Sequence, residues 1–294
     1  MIEIEKAPPF ATVQDFGWRT GRAMGLPRSG AMDPLMLGLA NSLVGNPAGA
    51  AGIEWALGAG TIFAREPCEL VILGAGEVLV DGVSADPAHP VVQANAGTRL
   101  EIRPRPDHRF LYVAVRGGID VPAVMESRST YLPGGFGGFE GRRLKSGDVL
   151  PVGPALHSGL GGNVHPRITA DPSDTDVTIR VSPGPQWERF DERARETLLE
   201  SRFTVSPSSD RMGYRLDGPA ITSGVTATLP SEAACPGAIQ IPDGGQPIVI
   251  MPDGPTVGGY PKIAVVVAAD LRLLAQCLPG RGVRFSPGPS RTRF

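Results

Sequence analysis

Apolar residues along this chain fall into short runs bounded by turn formers, not into long helical periods. Runs at residues 70–73, 111–115 and 248–251 are continuous and read as buried strands. Further β-like runs lie at 2–4, 77–80, 99–102, 177–181, 239–241 and 263–267. Helical spacing is best supported at 34–44, 187–200 and 270–277. The 39 Gly and 30 Pro punctuate these runs as tight turns. The pattern predicts a mainly β protein with a few short helices. Closed barrels are a common solution for it, since closure removes exposed strand edges.

Short patterns recur in the same order in both halves of the chain. Pro27-Arg-Ser29-Gly-Ala-Met32 resembles Pro207-Ser-Ser209-Asp-Arg-Met212, and Ile53-Glu54 resembles Ile239-Gln240. Val71-Ile-Leu with Gly76 resembles Val249-Ile-Met with Gly254, and Leu144-Lys-Ser-Gly-Asp-Val149 resembles Leu278-Pro-Gly-Arg-Gly-Val283. Any single match can arise by chance in a β-rich chain, but their shared order points to duplication. The expected division is a first unit over 1–152, a linker over 153–175, a second unit over 176–286 and a tail over 287–294.

Charge and cysteine usage narrow the function classes. With 28 basic and 30 acidic residues intermixed, the chain has no electrostatic footprint for nucleic acid or an acidic membrane. It shows no secretory leader and no stretch long and apolar enough to span a bilayer, so a cytoplasmic location is expected. Cys68, Cys235 and Cys277 are odd in number and widely spaced, which argues against a disulfide framework or a metal site and for small buried apolar residues. His89, His108, His157 and His165 lack metal spacing and read as surface residues.

Four segments carry candidate chemistry. In the first, Arg128-Ser129-Thr130-Tyr131 leads into Gly134 and Gly135, and five glycines fall within 134–141. Open backbone N–H groups beside arginines suit an oxyanion, although a flexible lid or a series of tight turns explains the pattern equally well. In the second, Asp253, Thr256, Gly258, Gly259, Tyr260 and Lys262 follow an apolar strand. There Asp253 can act as a base and Lys262 can balance negative charge, or the segment is a plain turn. In the third, Gln14 and Asp15 are bracketed by apolar residues and can meet the donors and acceptors of an amide; Asp33-Pro34 nearby reads as a helix start. In the fourth, Arg211 and Arg215 offer carboxylate recognition or a salt bridge to Asp210, with Glu232 and Gln240 downstream.

The set TVQDFG, GLPRSGAMD, NSLVGNP, YVAVRGGIDVP, SRSTYLPGGFGGFEGR, LKSGD, SSDRMGYRL, GAIQIP, GQPIVI and GGYPKIA resembles the allophanate hydrolase subunit 2 family. This family is also described as biotin-dependent carboxyltransferases, and it includes the 5-oxoprolinase C subunit and KipA. The resemblance implies a cyclophilin-like β-barrel architecture. It also implies partners: a KipI-like (allophanate hydrolase subunit 1) protein, and the 5-oxoprolinase A subunit. The implied chemistry is ATP-dependent opening of 5-oxoproline, with ATP used by the complex. Its alternatives are carboxyl transfer to urea from carboxybiotin, or a non-enzymatic KipA-like binder. The chain has neither a biotinyl-lysine motif of the AMKM kind nor a GxxxxGK[ST] loop, so it is expected to work with partners. Where the family often carries Gln-Thr-Thr before GGYP, this chain has Pro255-Thr256-Val257, which removes hydrogen-bonding groups beside Asp253.

On this basis Arg128 and Arg211 are expected to hold a carboxylate, and the backbone at 134–138 and 258–259 an oxyanion. Asp253 or Asp15 is the expected base. Tyr131, Tyr260 and Lys262 would position the substrate, with Gln14, Ser129, Thr130, Gln240 and Thr256 lining its site.

Overall fold

The computed structural model describes residues 1–155, 176–222 and 229–288. The chain divides into two compact units, Met1–Trp18 with Ser29–Thr169, and Arg19–Arg28 with Ala170–Phe294. Residues 19–28 therefore belong to the second unit, where the Arg22 guanidinium donates to the Ala234 carbonyl. The predicted linker lies outside the described residues beyond Ala155, and the tail does so beyond Gly288.

In the first unit the elements are β1 (Ile2–Lys6), β2 (Phe10–Gln14), α1 (Pro34–Leu43), β3 (Gly52–Ala56), β4 (Gly60–Ala64) and β5 (Cys68–Leu73). They continue as β6 (Ala75–Val80), β7 (Val83–Ser84), β8 (Val91–Ala94), β9 (Arg99–Pro104), β10 (Phe110–Val115) and β11 (Asp148–Leu150). One sheet runs β11-β1-β4-β9-β6-β7 and the other β2-β3-β10-β5-β8. Both feed one core: Ile2, Ile4, Ile62 and Ile102 come from the first sheet, and Val13, Ile53, Trp55, Leu111 and Val113 from the second. Each such side chain contributes about 1.5–3 kcal/mol by leaving water.

Helix α1 packs on β10, β5 and β3, so β10 is covered on both faces and every residue of it is buried. That explains why 111–115 reads as a continuous apolar run instead of an alternating one. Asp33 caps α1 as the sequence predicts, its carboxylate accepting from the Met36 N–H at 3.0 Å, with Pro34 at the first helical position.

The second unit comprises β12 (Val177–Pro183), α2 (Glu192–Glu200), β13 (Phe203–Val205), β14 (Gly213–Asp217), β15 (Glu232–Ala233) and β16 (Ala238–Gln240). It is completed by β17 (Ile248–Ile250), β18 (Val257–Gly258), β19 (Lys262–Val266), α3 (Ala268–Ala275) and β20 (Gly282–Pro287). Seven of these strands form a closed barrel in the order β12-β19-β16-β17-β14-β13-β20, joined by the parallel pair β12 and β20. Val177, Ile179 and Val181 of β12 are buried and alternate with outward residues, and Phe203 meets Phe285 at 5.9 Å between ring centroids. Strands β15 and β18 form a separate two-stranded ribbon.

The protein is thus mainly β, with three α-helices among the described residues and ring closure in the second unit. In the first unit the described strands form two facing sheets, not one hydrogen-bonded ring. The outer edge of β2 is occupied instead by later chain, Thr130 N–H donating to Val13 O at 3.0 Å and Leu144 N–H to Ala11 O at 2.8 Å. The helix read over 187–200 is broken in two: a 3-10 turn at Trp187–Arg189 precedes α2, because Asp191 caps the new start by accepting from Ala194 N–H at 2.8 Å. Among the cysteines only Cys277 is fully buried; Cys235 is exposed. His89 is exposed beside Asp86, whereas His108 is largely buried beside Asp107. Among the described residues no helix is long and apolar enough to cross a membrane.

Candidate functional site

The first unit brings eight of the sequence-predicted residues together where β2 ends. Gln14 is fully buried, its amide N–H groups donating to Thr12 Oγ1 and Thr130 O at 3.1 Å each, while its Oε1 has no partner among the described residues. The Asp15 carboxylate then accepts four hydrogen bonds. Oδ1 takes the Gly17 N–H and the Ser127 hydroxyl at 2.7 Å each and the Ser129 hydroxyl; Oδ2 takes the Arg128 N–H at 2.7 Å. Asp15 is therefore a bracket that fastens 127–129 to the end of β2. The residue expected as a base is thus engaged within the chain, Oδ1 accepting from three donors and Oδ2 from one.

The Arg128 side chain is likewise tied to its own chain, Nε donating to Val121 O at 2.8 Å and Nη2 to Asp120 Oδ1 at 2.9 Å. The glycine loop packs against this bracketed segment. A Cβ on Gly138 would run into Thr130 Oγ1, one on Gly137 into Ser129 O, and one on Gly134 would meet the Phe136 and Tyr131 rings. Gly135 caps the 3-10 turn Leu132–Gly134 with a left-handed backbone. These glycines supply close approach and positive φ, at 71° for Gly137 and 54° for Gly138. Val121, Val124, Phe136, Phe139 and the loop line a cleft of about 380 Å³.

Beneath α1 lies a buried polar cluster that the sequence did not signal. Tyr112 accepts from Asp33 N–H and donates to Glu54 Oε2, both at 2.7 Å, and Glu54 Oε2 also accepts from Met32 N–H at 2.7 Å. Burial first, and then the carboxylates of Glu54 and Asp33, push the Tyr112 phenol well above its ordinary range. Only residues separated by up to 79 positions and joined by the fold make this cluster, so no local motif announces it.

In the second unit Asp253 and Arg211 satisfy each other. Arg211 Nε reaches Asp253 Oδ2 at 2.8 Å and Nη2 reaches Oδ1 at 2.9 Å, with side chains 7% and 2% exposed. The residue expected as a base, Asp253, and the one expected to receive a substrate carboxylate, Arg211, are thus engaged with each other. Burial makes the bidentate pair obligatory for both partners.

Lys262 behaves differently from a solvated strand residue. It is 3% exposed, and its ammonium bonds Glu232 Oε1 at 2.7 Å. Gln186 completes the group: its Nε2 donates to Glu232 Oε1 at 2.6 Å and its Oε1 accepts from Lys262 N–H at 2.9 Å. The bond from Lys262 holds the Glu232 carboxyl below the ordinary carboxylate range. Gln240 lies opposite Lys262 in the β16–β19 ladder, and Gly258 lies opposite Glu232 in the ribbon. The fold therefore gathers Lys262, Gln240 and Gly258 with Glu232 and with Gln186, a residue that no sequence motif singles out. Thr256 is buried with its carbonyl accepting from Ala234 N–H at 2.9 Å, while Gly259 and Tyr260 are exposed. Among the described residues no three His, Cys, Asp or Glu side chains gather as a metal site.

Residues 24–287 match the family model of the carboxyltransferase domain, subdomain A and B. The chain belongs to this carboxyltransferase family. Its motif-based resemblance to allophanate hydrolase subunit 2 is thereby a family relationship. The chain is 38% identical to the 5-oxoprolinase C subunit of Escherichia coli, over 97% of this chain and 90% of that one. Among solved structures, TTHA0988 matches with a TM-score of 0.82 and 32% identity, over 97% of this chain and 55% of that one. The Kluyveromyces lactis urea carboxylase matches with a TM-score of 0.87 and 28% identity, over 98% of this chain and 27% of the enzyme. The chain thus spans about half of the former structure and a quarter of the latter.

Proposed function

We propose that this carboxyltransferase-family chain is the C-type component of an ATP-dependent 5-oxoprolinase. The observation that carries the reading is the near end-to-end relation to the Escherichia coli protein, at 38% identity with nine-tenths of its length spanned. The reaction opens a lactam: the ring C–N bond breaks, water supplies oxygen to the carbonyl carbon, and the freed nitrogen takes the proton. A five-membered amide resists water, so ATP is spent to make the carbonyl a better electrophile before hydrolysis.

ATP is assigned to the assembled complex. The sequence has no GxxxxGK[ST], and the glycine loop turns its close approaches toward its own backbone at Ser129 and Gly135. The residues present do not fit a phosphate cradle. The partners are a KipI-like protein and the 5-oxoprolinase A component, the setting is the cytoplasm, and the isolated chain is inactive.

A second reading, carboxyl transfer from carboxybiotin to urea or a related amide, draws on the backbone match to the Kluyveromyces lactis urea carboxylase. The two readings share one demand on this chain, recognition of a small amide carbonyl. The deciding test is to co-purify the full chain with both partner proteins and assay ATP-dependent glutamate release from 5-oxoproline. Release is expected. Absence of release with all three components present, together with carboxylation of urea by a biotin-carrying partner, would overturn the leading reading in favour of the second.

A further inference from the structure

Gln240 is 4% exposed, yet its Nε2 has no acceptor among the described residues. Folded proteins pair their buried amides, because a donor that has lost water and gained no acceptor weakens the fold. A donor left open in this way is reserved for something outside the chain.

The surroundings indicate what that is. Lys262 sits opposite Gln240 at an irregularity in the β16–β19 ladder between Ile239 and Gln240, where the register slips and side-chain directions change. The Lys262 ammonium is matched by the Glu232 carboxylate at 2.7 Å, and Gln186 braces both. That cation is therefore committed, and the open valence belongs to the neutral amide of Gln240. Two uncharged N–H donors suit a carbonyl oxygen better than a carboxylate, which would seek an unmatched cation.

Gly258 supplies the room. A Cβ there would lie 2.8 Å from Gln240 Nε2, and its backbone φ is not in the left-handed region, so space and not conformation calls for glycine. Gly258 belongs to the β15–β18 ribbon, which has two paired positions and carries the exposed Val257, with the exposed Tyr260 two residues beyond it.

We infer that Gln240 Nε2 is the donor of a subsite for the carbonyl oxygen of a small amide. The ribbon β15–β18 covers the subsite, and Lys262, Glu232 and Gln186 position it. The inference rests on the reading that the chain acts on a small amide; a lactam and urea present the same carbonyl.

The test uses the full chain with isotope-labelled glutamine side chains, the Gln240 amide being assigned by its loss in Gln240→Met. The probes are 5-oxoproline, urea and L-proline, the last having the ring and carboxylate without the lactam carbonyl. The Gln240 resonance is expected to move with 5-oxoproline or with urea and to stay with proline. Gln240→Met and Gly258→Ala should each weaken that binding by about tenfold or more. Thermal stability of Gln240→Met should not fall, since Gln240 Nε2 makes no hydrogen bond to the described residues that the variant would lose. No movement with either carbonyl probe, equal movement with proline, or unchanged affinity in Gln240→Met would overturn the inference. Carbonyl binding at Gln240 without glutamate release by the complex would sustain the subsite and count against the 5-oxoprolinase reading.

Discussion

Arg211 clasps Asp253 through two parallel hydrogen bonds of 2.8 and 2.9 Å, with both side chains buried. A charge in that position cannot be abandoned by its partner without a large penalty. Asp253→Ala should therefore lower stability by about 3–5 kcal/mol, read as a shift in the urea midpoint. Arg211→Lys should recover only part of the loss of Arg211→Ala, because a lysine cannot reproduce the planar fork. An Asp253→Ala variant that folded with wild-type stability would show that the pair is not structural.

Asp15 plays the corresponding role in the first unit. Replacing it with Asn keeps the size but substitutes two donors for one acceptor oxygen, against the Arg128 N–H or the Ser127 and Ser129 hydroxyls. Asp15→Asn should cost about 2–3 kcal/mol and raise hydrogen exchange at the Arg128 amide. Exchange at Leu111 in the core of β10 should change only as far as global stability does.

The phenol of Tyr112 bridges Asp33 N–H and Glu54 and is pushed well above 10 by burial and the neighbouring carboxylates. A raised folded value means that the native state holds this proton more tightly than the unfolded chain. The resulting stability is intact below about pH 10 and declines as pH rises past it. Absorbance titration should show Tyr112 ionising only with unfolding, a component missing from Tyr112→Phe. That variant should lose about 1–3 kcal/mol by orphaning the Asp33 N–H.

Glu232 titrates in the opposite sense. Its carboxyl is lowered from the ordinary 4.5, chiefly by the Lys262 hydrogen bond. The stabilisation is present above that value and is lost as pH falls through the folded one. Below about pH 4.5, wild type should lose stability more steeply than Glu232→Gln, whose side chain has no proton to gain. Equal slopes in the two proteins would show that the Glu232–Lys262 pair contributes nothing.

The prominence of a motif and the role of its residues turn out to be separate matters in this chain. The most conspicuous segment, 128–141, is held by Asp15 and packed on itself, and its glycines answer to Thr130, Ser129 and the local rings. Gln186 lies in a Pro-Gly-Pro-Gln stretch with no chemical signature, yet it braces Lys262 and Glu232.

The sequence by itself determined the mainly β character, the position of each helix to within a few residues, the Asp33 cap and the family. These depend on local periodicity, turn chemistry and short motifs, which are properties of neighbouring residues. The tertiary structure alone decided that Asp253 belongs to Arg211, Asp15 to the 127–129 segment, and Lys262 to Glu232. It also left the Gln240 amide without an acceptor among the described residues. The paired residues are 30 to 114 positions apart in sequence. Hydrogen bonding between them is set by strand register and close approach of backbone, and chain order carries neither.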